Sequence, residues 1–201
     1  MAGETQNYHE TRDPYFSSAN FTTVTVTTGQ SIIPVLRVPA TNLVFPAGYW
    51  MKPGRRWWIR INGSIVSAAT PGNWTFEVHH QTGAAPTDAG GTIICTSGAI
   101  AGAATKTCSF MMNVLIESRG DPTTFVPTAT PLFCYGDFLT DGATGFWTTG
   151  SNNPILLPAT TGGTTTNVDA TLAGTIHIDA KRSGSTAETI TVTDLAVNSM
   201  T

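Results

Sequence analysis

The most regular alternation of apolar and polar residues in this sequence lies between residues 49 and 82, a stretch that holds four of the five tryptophans. From residue 57 to residue 66, one alternate set is apolar apart from Gly63, and the other set begins with Trp58 and Arg60. Residues 74–81 alternate in the same way. A period of two indicates β-strands, and the intervening Thr-Pro-Gly-Asn of residues 70–73 is typical of a turn. The pattern predicts two strands joined as an antiparallel hairpin.

Shorter apolar or alternating runs predict further strands at residues 21–28, 31–38, 92–97, 108–117, 132–139, 172–180 and 186–197. Pro34 places the second of these at a sheet edge or bulge, Gly136 is expected to interrupt the fifth, and a bulge is expected to shift the register at Asp194. Residues 140–167 are rich in Gly, Thr, Asn and Pro and are expected to form a long irregular loop. No run has the period of an amphipathic helix.

These elements predict an all-β fold, a jelly-roll-like antiparallel β-sandwich, with a Greek-key sandwich of another topology as the alternative. At 201 residues the chain has the length of one such domain, expected to span residues 21–201. Residues 1–20 lack a strand or helix period and are expected to form an extended N-terminal arm. Its aromatic residues, Tyr8, Tyr15 and Phe16, suggest docking on a neighbouring subunit rather than a solvated tail.

Charge and cysteine content narrow the function classes. The net charge is −3 and only 11% of residues are charged, which argues against binding to nucleic acid or to anionic membranes. Met1 is followed by a polar segment, so no secretory signal peptide is predicted. The three cysteines, Cys95, Cys108 and Cys134, have no metal-ligand spacing and are expected to be small buried thiols, with one disulfide as the alternative.

No residue pattern indicates catalysis or a cofactor. His79 and His80 are adjacent on a strand, so they point to opposite faces and are not expected to share a metal ion, while His177 lies on another strand. The acidic residues are scattered, and no pair is marked out for glycosidase chemistry. Motifs for nucleophilic hydrolysis, zinc proteolysis, phosphate binding and calcium binding are missing from the sequence. The sequence therefore predicts a protein that is not an enzyme and has no cofactor or metal.

The aromatic and basic residues around the central strands are the candidate binding residues. Trp, Tyr, Met and Arg are enriched in the cores of protein interfaces, and the arginines here are expected to stack on the indole rings. The alternative is that both faces of the strand are buried, by the core and by a loop. The predicted interface comprises the three arm aromatics named above together with Tyr49, Trp50, Arg55, Arg56, Trp58 and Arg60.

The central block resembles a group of bacteriophage virion proteins that are placed on capsids and tails. The resemblance is carried by residues 45–50 (FPAGYW), 53–63 (PGRRWWIRING) and 70–72 (TPG), then by 115–120 (LIESRG), 175–179 (TIHID) and 189–195 (TITVTDL). It spans about Phe45 to Val197 and is a pattern of residue types and turns, with no functional residues to carry over one by one. It implies a jelly-roll module that assembles, often as a trimer, on the outside of a phage particle.

The expected function is therefore that of a capsid decoration (cement) protein, made in the host cytoplasm and located on the outer surface of the virion. Its expected partners are further copies of itself, as a homotrimer, and the phage major capsid protein. The alternative is a tail-tip or fibre component that recognises a glycan or protein on the host surface. In that case Phe146 and Trp147, within the long Gly- and Thr-rich segment, are the candidate recognition residues.

Overall fold

The computed structural model describes residues 15–17, 24–26, 29–31, 44–83, 90–120, 123–140, 155–158, 163–183, 186 and 188–200. Most of them lie in strands. In chain order the strands are β1 (Tyr15–Ser17), β2 (Val24–Val26), β3 (Gly29–Ser31), β4 (Val44–Phe45), β5 (Arg56–Val66), β6 (Asn73–Thr82), β7 (Thr92–Thr96), β8 (Ile100–Ala101), β9 (Thr107–Ser118), β10 (Thr130–Thr140), β11 (Ile155–Leu157), β12 (Thr164–Val168), β13 (Gly174–Arg182) and β14 (Glu188–Met200). Short 3-10 turns lie at Tyr49–Met51 and Pro127–Ala129.

The strands form two antiparallel sheets that pack face to face, which confirms the predicted all-β sandwich. The larger sheet has the order β1-β14-β5-β9-β10-β11, with β2 also on β14 and β12 also on β10. The smaller sheet has the order β3-β13-β6-β7, with β4 also on β13 and β8 also on β6. The series β2-β14-β5-β9 facing β3-β13-β6-β7 is the strand order of a jelly roll. Strands β10, β11 and β12, which follow β9 and precede β13 in the chain, extend the larger sheet beyond β9.

The core lies between the sheets and is built from the apolar faces that the alternation predicted. On β5 the apolar alternate residues from Trp57 to Ile65 are buried, and on β9 so are Phe110, Met112, Val114 and Ile116. Three rings join the sheets at the centre: Phe138 of β10 stacks on Phe76 of β6 and on Phe110, with centroid separations of 4.4 and 5.0 Å. The predicted period of two is therefore confirmed on β5 and β9, where the apolar face is the buried one.

The predicted hairpin between the two central strands is wrong. Strand β5 pairs with β14 and β9 in the larger sheet, whereas β6 pairs with β13, β7 and β8 in the smaller one. Residues 67–72 therefore cross from one sheet to the other, which places the apolar faces of the two strands on opposite sides of the core. Alternation is the same in either arrangement, and a six-residue connection is long enough to bridge sheets that pack about 10 Å apart.

Other boundaries also differ from the sequence predictions. Gly136 does not interrupt β10, because the strand runs through it and uses the missing side chain for close packing: a Cβ there would lie 2.6 Å from the carbonyl oxygen of Asn113. Strand β8 lies where no strand is predicted, and β11 and all but the last residue of β12 lie in the expected long loop. Of the predicted strand 31–38, only Ser31 is among the described residues.

The predicted bulge near Asp194 is confirmed. The register between β14 and β5 shifts between Val192 and Asp194, so that Thr193 has no partner in the ladder. Asn62 of β5 donates a hydrogen bond from Nδ2 to Oδ2 of Asp194 at 2.7 Å, and the Thr193 hydroxyl donates to the Asn62 carbonyl at 3.3 Å. The bulge therefore keeps both Val192 and Leu195 in the core.

A buried ion pair holds the crossover of residues 67–72 in place. The Nε atom of Arg182 on β13 donates to the Glu188 carboxylate on β14, and both residues are almost fully buried. The other carboxylate oxygen of Glu188 accepts from the Ala68 backbone N–H at 2.9 Å, while Arg182 also donates to the Thr70 carbonyl at 3.3 Å. Both charges are therefore hydrogen-bonded to the crossover, and neither can be removed without leaving the other buried without its partner.

We expect Glu188→Gln to lower the free energy of unfolding by about 3 kcal/mol or more, because it leaves the Arg182 guanidinium buried without a counter-charge. The matched control is Arg56→Gln, which breaks the 3.0 Å ion pair to Glu117 on the surface and should cost less than about 1 kcal/mol. Urea unfolding of both variants measures the difference. Equal losses would show that the buried pair does not anchor the crossover.

Candidate interaction surface

An aromatic cluster fills the corner of the sandwich where the chain enters β5. Phe45, Trp50 and Trp57 pack edge to face, with centroids 5.5–5.9 Å apart, and Trp57 Nε1 donates to the Tyr49 hydroxyl at 2.7 Å. The Arg55 guanidinium lies 4.7 Å from the centre of the Tyr49 ring. Phe45, Trp50 and Trp57 belong to the core, and only Tyr49 and Arg55, at the edge of the cluster, are partly exposed.

Two of the interface predictions change on this geometry. Trp50 has a relative exposure of 0% within the chain itself, so it has no surface to offer a partner and we do not carry it into the candidate surface. Two of the arginines make other contacts than the predicted stacking on indole rings: Arg55 lies over the Tyr49 ring, and Arg56 forms an ion pair with Glu117. Trp58 remains at the surface, where 36% of it is exposed.

The outer face of the larger sheet, away from the core, carries a row of apolar side chains across three strands. Trp58 on β5 is the register partner of Leu115 on β9, and Leu115 is in turn the partner of Tyr135 on β10. Tyr135 is 37% exposed, close to the value for Trp58, and Leu115 between them is half-buried. We call Trp58, Leu115 and Tyr135 the apolar row.

Charged rows flank the apolar row on both sides. On one side Arg56 faces Glu117, Glu117 faces Phe133, and Arg119 donates to Glu117 at 3.4 Å while its guanidinium lies 3.5 Å from the Phe133 ring centre. These groups are paired within the chain. Their pairing makes this flank of the apolar row polar without leaving a charge unpaired on it.

The row on the other side is less complete. Arg60 of β5 faces Asn113 of β9, and Asn113 faces Asp137 of β10. Asn113 Nδ2 donates to one oxygen of Asp137 at 2.7 Å. Arg60 is exposed and takes part in none of the ion pairs or side-chain hydrogen bonds found among the described residues. A cation next to an exposed indole and without a partner of its own is available to a second molecule.

The remaining candidate residues are placed only in part. Tyr15 and Phe16 belong to β1, which pairs with β14 at the edge of the larger sheet, with Tyr15 opposite Val197 and Phe16 opposite Ala196. Tyr8 of the predicted arm, and Phe146 and Trp147 of the predicted recognition loop, lie outside the described residues. Leu115, Phe133 and Tyr135 were missed by sequence reasoning, because their proximity to Trp58 depends on a strand register that one sequence does not reveal.

The outer face of the smaller sheet differs, because its polar groups are buried and bonded to one another. The rings of His79 and His177 stack with centroids 4.8 Å apart, and each donates to the Gly90 carbonyl, at 2.9 and 3.1 Å. Their other ring nitrogens lie 3.1 Å from Glu77 and 2.9 Å from Asp179. Each ring therefore has a hydrogen-bond partner at both of its nitrogens.

This cluster also brings together two acids that the sequence left scattered. Glu77 and Asp179 are register partners on β6 and β13, and Lys181 forms an ion pair with Glu77. Both residues are buried, Asp179 completely. On each strand the acid and the histidine are two residues apart, so both point to the same face. This spacing is visible in the sequence and could have indicated the cluster. Among the described residues, no group of three or more His, Cys, Asp or Glu side chains has the arrangement of a metal site.

The predicted opposite orientation of the adjacent histidines is confirmed. His80 points to the core, where its ring lies 5.1 Å from that of Phe45 and its Nε2 is buried without a hydrogen-bond partner. Burial lowers the pKa of His80 from 6.5 to about 4. Cys95, Cys108 and Cys134 are all buried free thiols, as expected, and burial raises the pKa of Cys134 well above its usual value.

Comparison with known proteins does not assign this chain to a family. No protein-family model matches this sequence, and no curated protein matches it. In the part of the chain that the structure describes, no helix is long and apolar enough to cross a membrane.

The two adjacent tryptophans provide a matched test of this surface. We expect Trp57→Ala to lower the free energy of unfolding by about 3–5 kcal/mol, because it empties a buried site. Trp58→Ala should cost less than about 1 kcal/mol in folding but should weaken self-association measurably. Denaturant unfolding and analytical ultracentrifugation separate the two effects. If Trp58→Ala left association unchanged, the apolar row would not be a contact.

The buried His80 predicts a specific dependence of stability on pH. Its pKa of about 4 in the folded chain lies below the unfolded value of 6.5, so between these values the unfolded state binds more protons. The stability contributed by neutral His80 is therefore fully present above pH 6.5 and is lost as the pH falls toward 4. The loss amounts to up to about 3 kcal/mol. His80→Phe, which keeps a ring against Phe45, should remove this part of the pH dependence in unfolding experiments; an unchanged profile would contradict it.

Proposed function

We propose that this chain is a non-catalytic structural protein of a bacteriophage virion, most specifically a capsid decoration (cement) protein. It would bind the assembled head shell as a homo-oligomer and stabilise that shell against internal pressure. The observation that carries the proposal is the apolar row of Trp58, Leu115 and Tyr135 on the outer face of the larger sheet, where Trp58 and Tyr135 are exposed. Jelly rolls are recurrent modules of viral capsids, and a large exposed aromatic surface is typical of a protein that functions in contact with others.

The residues that carry the resemblance to phage virion proteins build the scaffold behind this face. Residues 45–50 form the aromatic corner, residues 53–63 lead into and form most of β5, and residues 70–72 belong to the crossover between the sheets. The same segment therefore supplies both core residues such as Trp57 and surface residues such as Trp58. This arrangement supports a module whose assembly surface is built on a strand that also contributes to the core.

The proposed mechanism is stabilisation by burial rather than by chemistry. Each subunit would bury apolar area against neighbouring copies, at about 25 cal/mol per Å² before the costs of association. A homotrimer is the assembly that the resemblance implies, and the N-terminal arm would reach the major capsid protein. The cluster of Glu77, His79, His177 and Asp179 is internally satisfied and buried, which suits a stabilising role better than a catalytic one.

A tail-tip or fibre protein that recognises a host glycan is the second candidate. An open pocket of about 360 Å³ lies at one end of the smaller sheet, lined by Asn73, Thr75, Ala99, Lys181, Arg182 and Ser183. Its amide and hydroxyl groups match the hydrogen-bonding needs of sugar hydroxyls. Lectin domains also use the jelly-roll fold. Binding of the purified protein to a glycan array, lost on Asn73→Ala, would favour this function over decoration.

Electron microscopy distinguishes the two functions directly. The purified protein is mixed with phage particles that lack it, and the particles are imaged. We expect density that repeats over the icosahedral shell. Density confined to the tail would favour host recognition instead, and absence of binding to either part would contradict the virion proposal.

Deletion of residues 2–12 tests the role of the arm in that binding. The deletion removes Tyr8 but retains β1, which pairs with β14. We expect a variant that folds and self-associates like the full chain but no longer sediments with particles. The matched control, Tyr8→Ala in the full chain, should weaken binding less than the deletion. Undiminished binding of the deletion variant would show that the arm does not make the contact.

A further inference from the structure

The outer face of the larger sheet is complementary to itself about an axis along β9. Strand β9 lies between β5 and β10, and the residues of the latter two strands fall in common rows. The first row has Arg56 on β5 and Phe133 on β10; the next has Trp58 and Tyr135; the third has Arg60 and Asp137. In the second and third rows the β5 residue is of a type that binds the β10 residue, ring with ring and cation with carboxylate. In the first row Arg56 is already paired with Glu117, and the Phe133 ring is covered by Arg119.

Within one chain β9 separates these β5 and β10 residues by about 10 Å, and none of the three pairs forms an ion pair or ring contact in the part of the chain that the structure describes. Asp137 instead uses one oxygen to accept from Asn113, and Arg60 is exposed without an ion-pair partner among the described residues. The face therefore has a cation and an anion in the same row, both accessible. A second copy of the face satisfies both.

A twofold axis running along β9, between two facing sheets, brings these groups together. Such a rotation keeps each row in place and exchanges the two sides of the sheet, so that β5 of one copy lies over β10 of the other. Arg60 then faces Asp137, Trp58 faces Tyr135, and Leu115 on the axis faces its own counterpart. We propose that two copies of this chain pair face to face through this surface, with the twofold axis along β9. Isologous contacts of this kind are the commonest in homo-oligomers.

The size of the face fits this occupant. With β11 and β12 beside β10, the sheet has five columns of strands along most of its length, which is about 24 Å across at the usual strand spacing. The central strands β5, β9 and β10 have 11, 12 and 11 residues, a length of about 36 Å. The product, about 860 Å², is close to the 800 Å² or so that each partner buries in a stable interface.

This inference concerns the same surface as the proposed function, but it needs only the purified chain. Failure of particle binding and failure of pairing are therefore separate results. The competing arrangement is the homotrimer that the resemblance implies: in a threefold ring the Arg60 side of one face would contact the Asp137 side of the next copy. In such a ring Leu115 would not face its own counterpart, so the two arrangements can be distinguished.

Charge reversal tests the pairing of Arg60 with Asp137. Each of the single variants Arg60→Asp and Asp137→Arg places like charges opposite one another, and we expect each to weaken the dimer about tenfold or more. The double variant restores opposite charges and should recover most of the affinity. Sedimentation equilibrium measures the Kd, and thermal unfolding checks that each variant folds. A double variant no tighter than the singles would overturn the contact.

Cross-linking tests the axis itself. Leu115→Cys places a thiol on the proposed axis, and the three native thiols are buried, so a short bismaleimide should join two copies through residue 115. The matched control is Asn198→Cys on β14, which lies in the same row as Leu115 but two strands from the axis, so that the rotation carries it about 19 Å sideways from its own counterpart. We expect efficient dimer cross-linking for the first variant and little for the second. Equal or absent cross-linking, or a protein that stays monomeric at high concentration, would overturn the twofold pairing.

Discussion

The structure depends on the division of β5 into an inner and an outer face. Trp57 fixes the aromatic corner of the core, with its indole bonded to Tyr49 and packed on Trp50, while the adjacent Trp58 points away from the core. A shift of one residue in the pairing of β5 would exchange the two faces. The buried pair of Arg182 and Glu188 opposes such a shift, because it bonds the crossover that follows β5. The register of this strand therefore determines both the core and the surface.

The two sheets treat polar groups in opposite ways. On the smaller sheet, the histidines and acids of β6 and β13 are buried and bonded to one another and to Gly90. On the larger sheet, Trp58, Tyr135 and Arg60 remain exposed in neighbouring rows. Exposed aromatic side chains grouped in one patch mark a surface that another molecule covers. This contrast is why we assign the contact surface to the larger sheet.

Features that depend on one strand were predictable from the sequence, whereas those that depend on pairing were not. The apolar face of β9, the bulge at Asp194 and the buried free thiols follow from local pattern, and the structure confirms them. The crossover between β5 and β6 was mistaken for a hairpin, because two alternating strands look alike whether they lie side by side or face to face. The meeting of Trp58 with Leu115 and Tyr135 needs a register set by residues far apart in the chain. The function and the homotrimer remain predictions.

The central claim is that the outer face of the larger sheet is a contact surface in the functional assembly. Hydroxyl-radical footprinting tests it most directly, by measuring oxidation of Trp58 and Tyr135 in dilute protein and in concentrated or particle-bound protein. Trp50 and Trp57 serve as internal references, since both are buried within the chain. The account predicts that Trp58 and Tyr135 become protected on assembly while the references stay unchanged. Full reactivity of both residues in the assembled protein would contradict it.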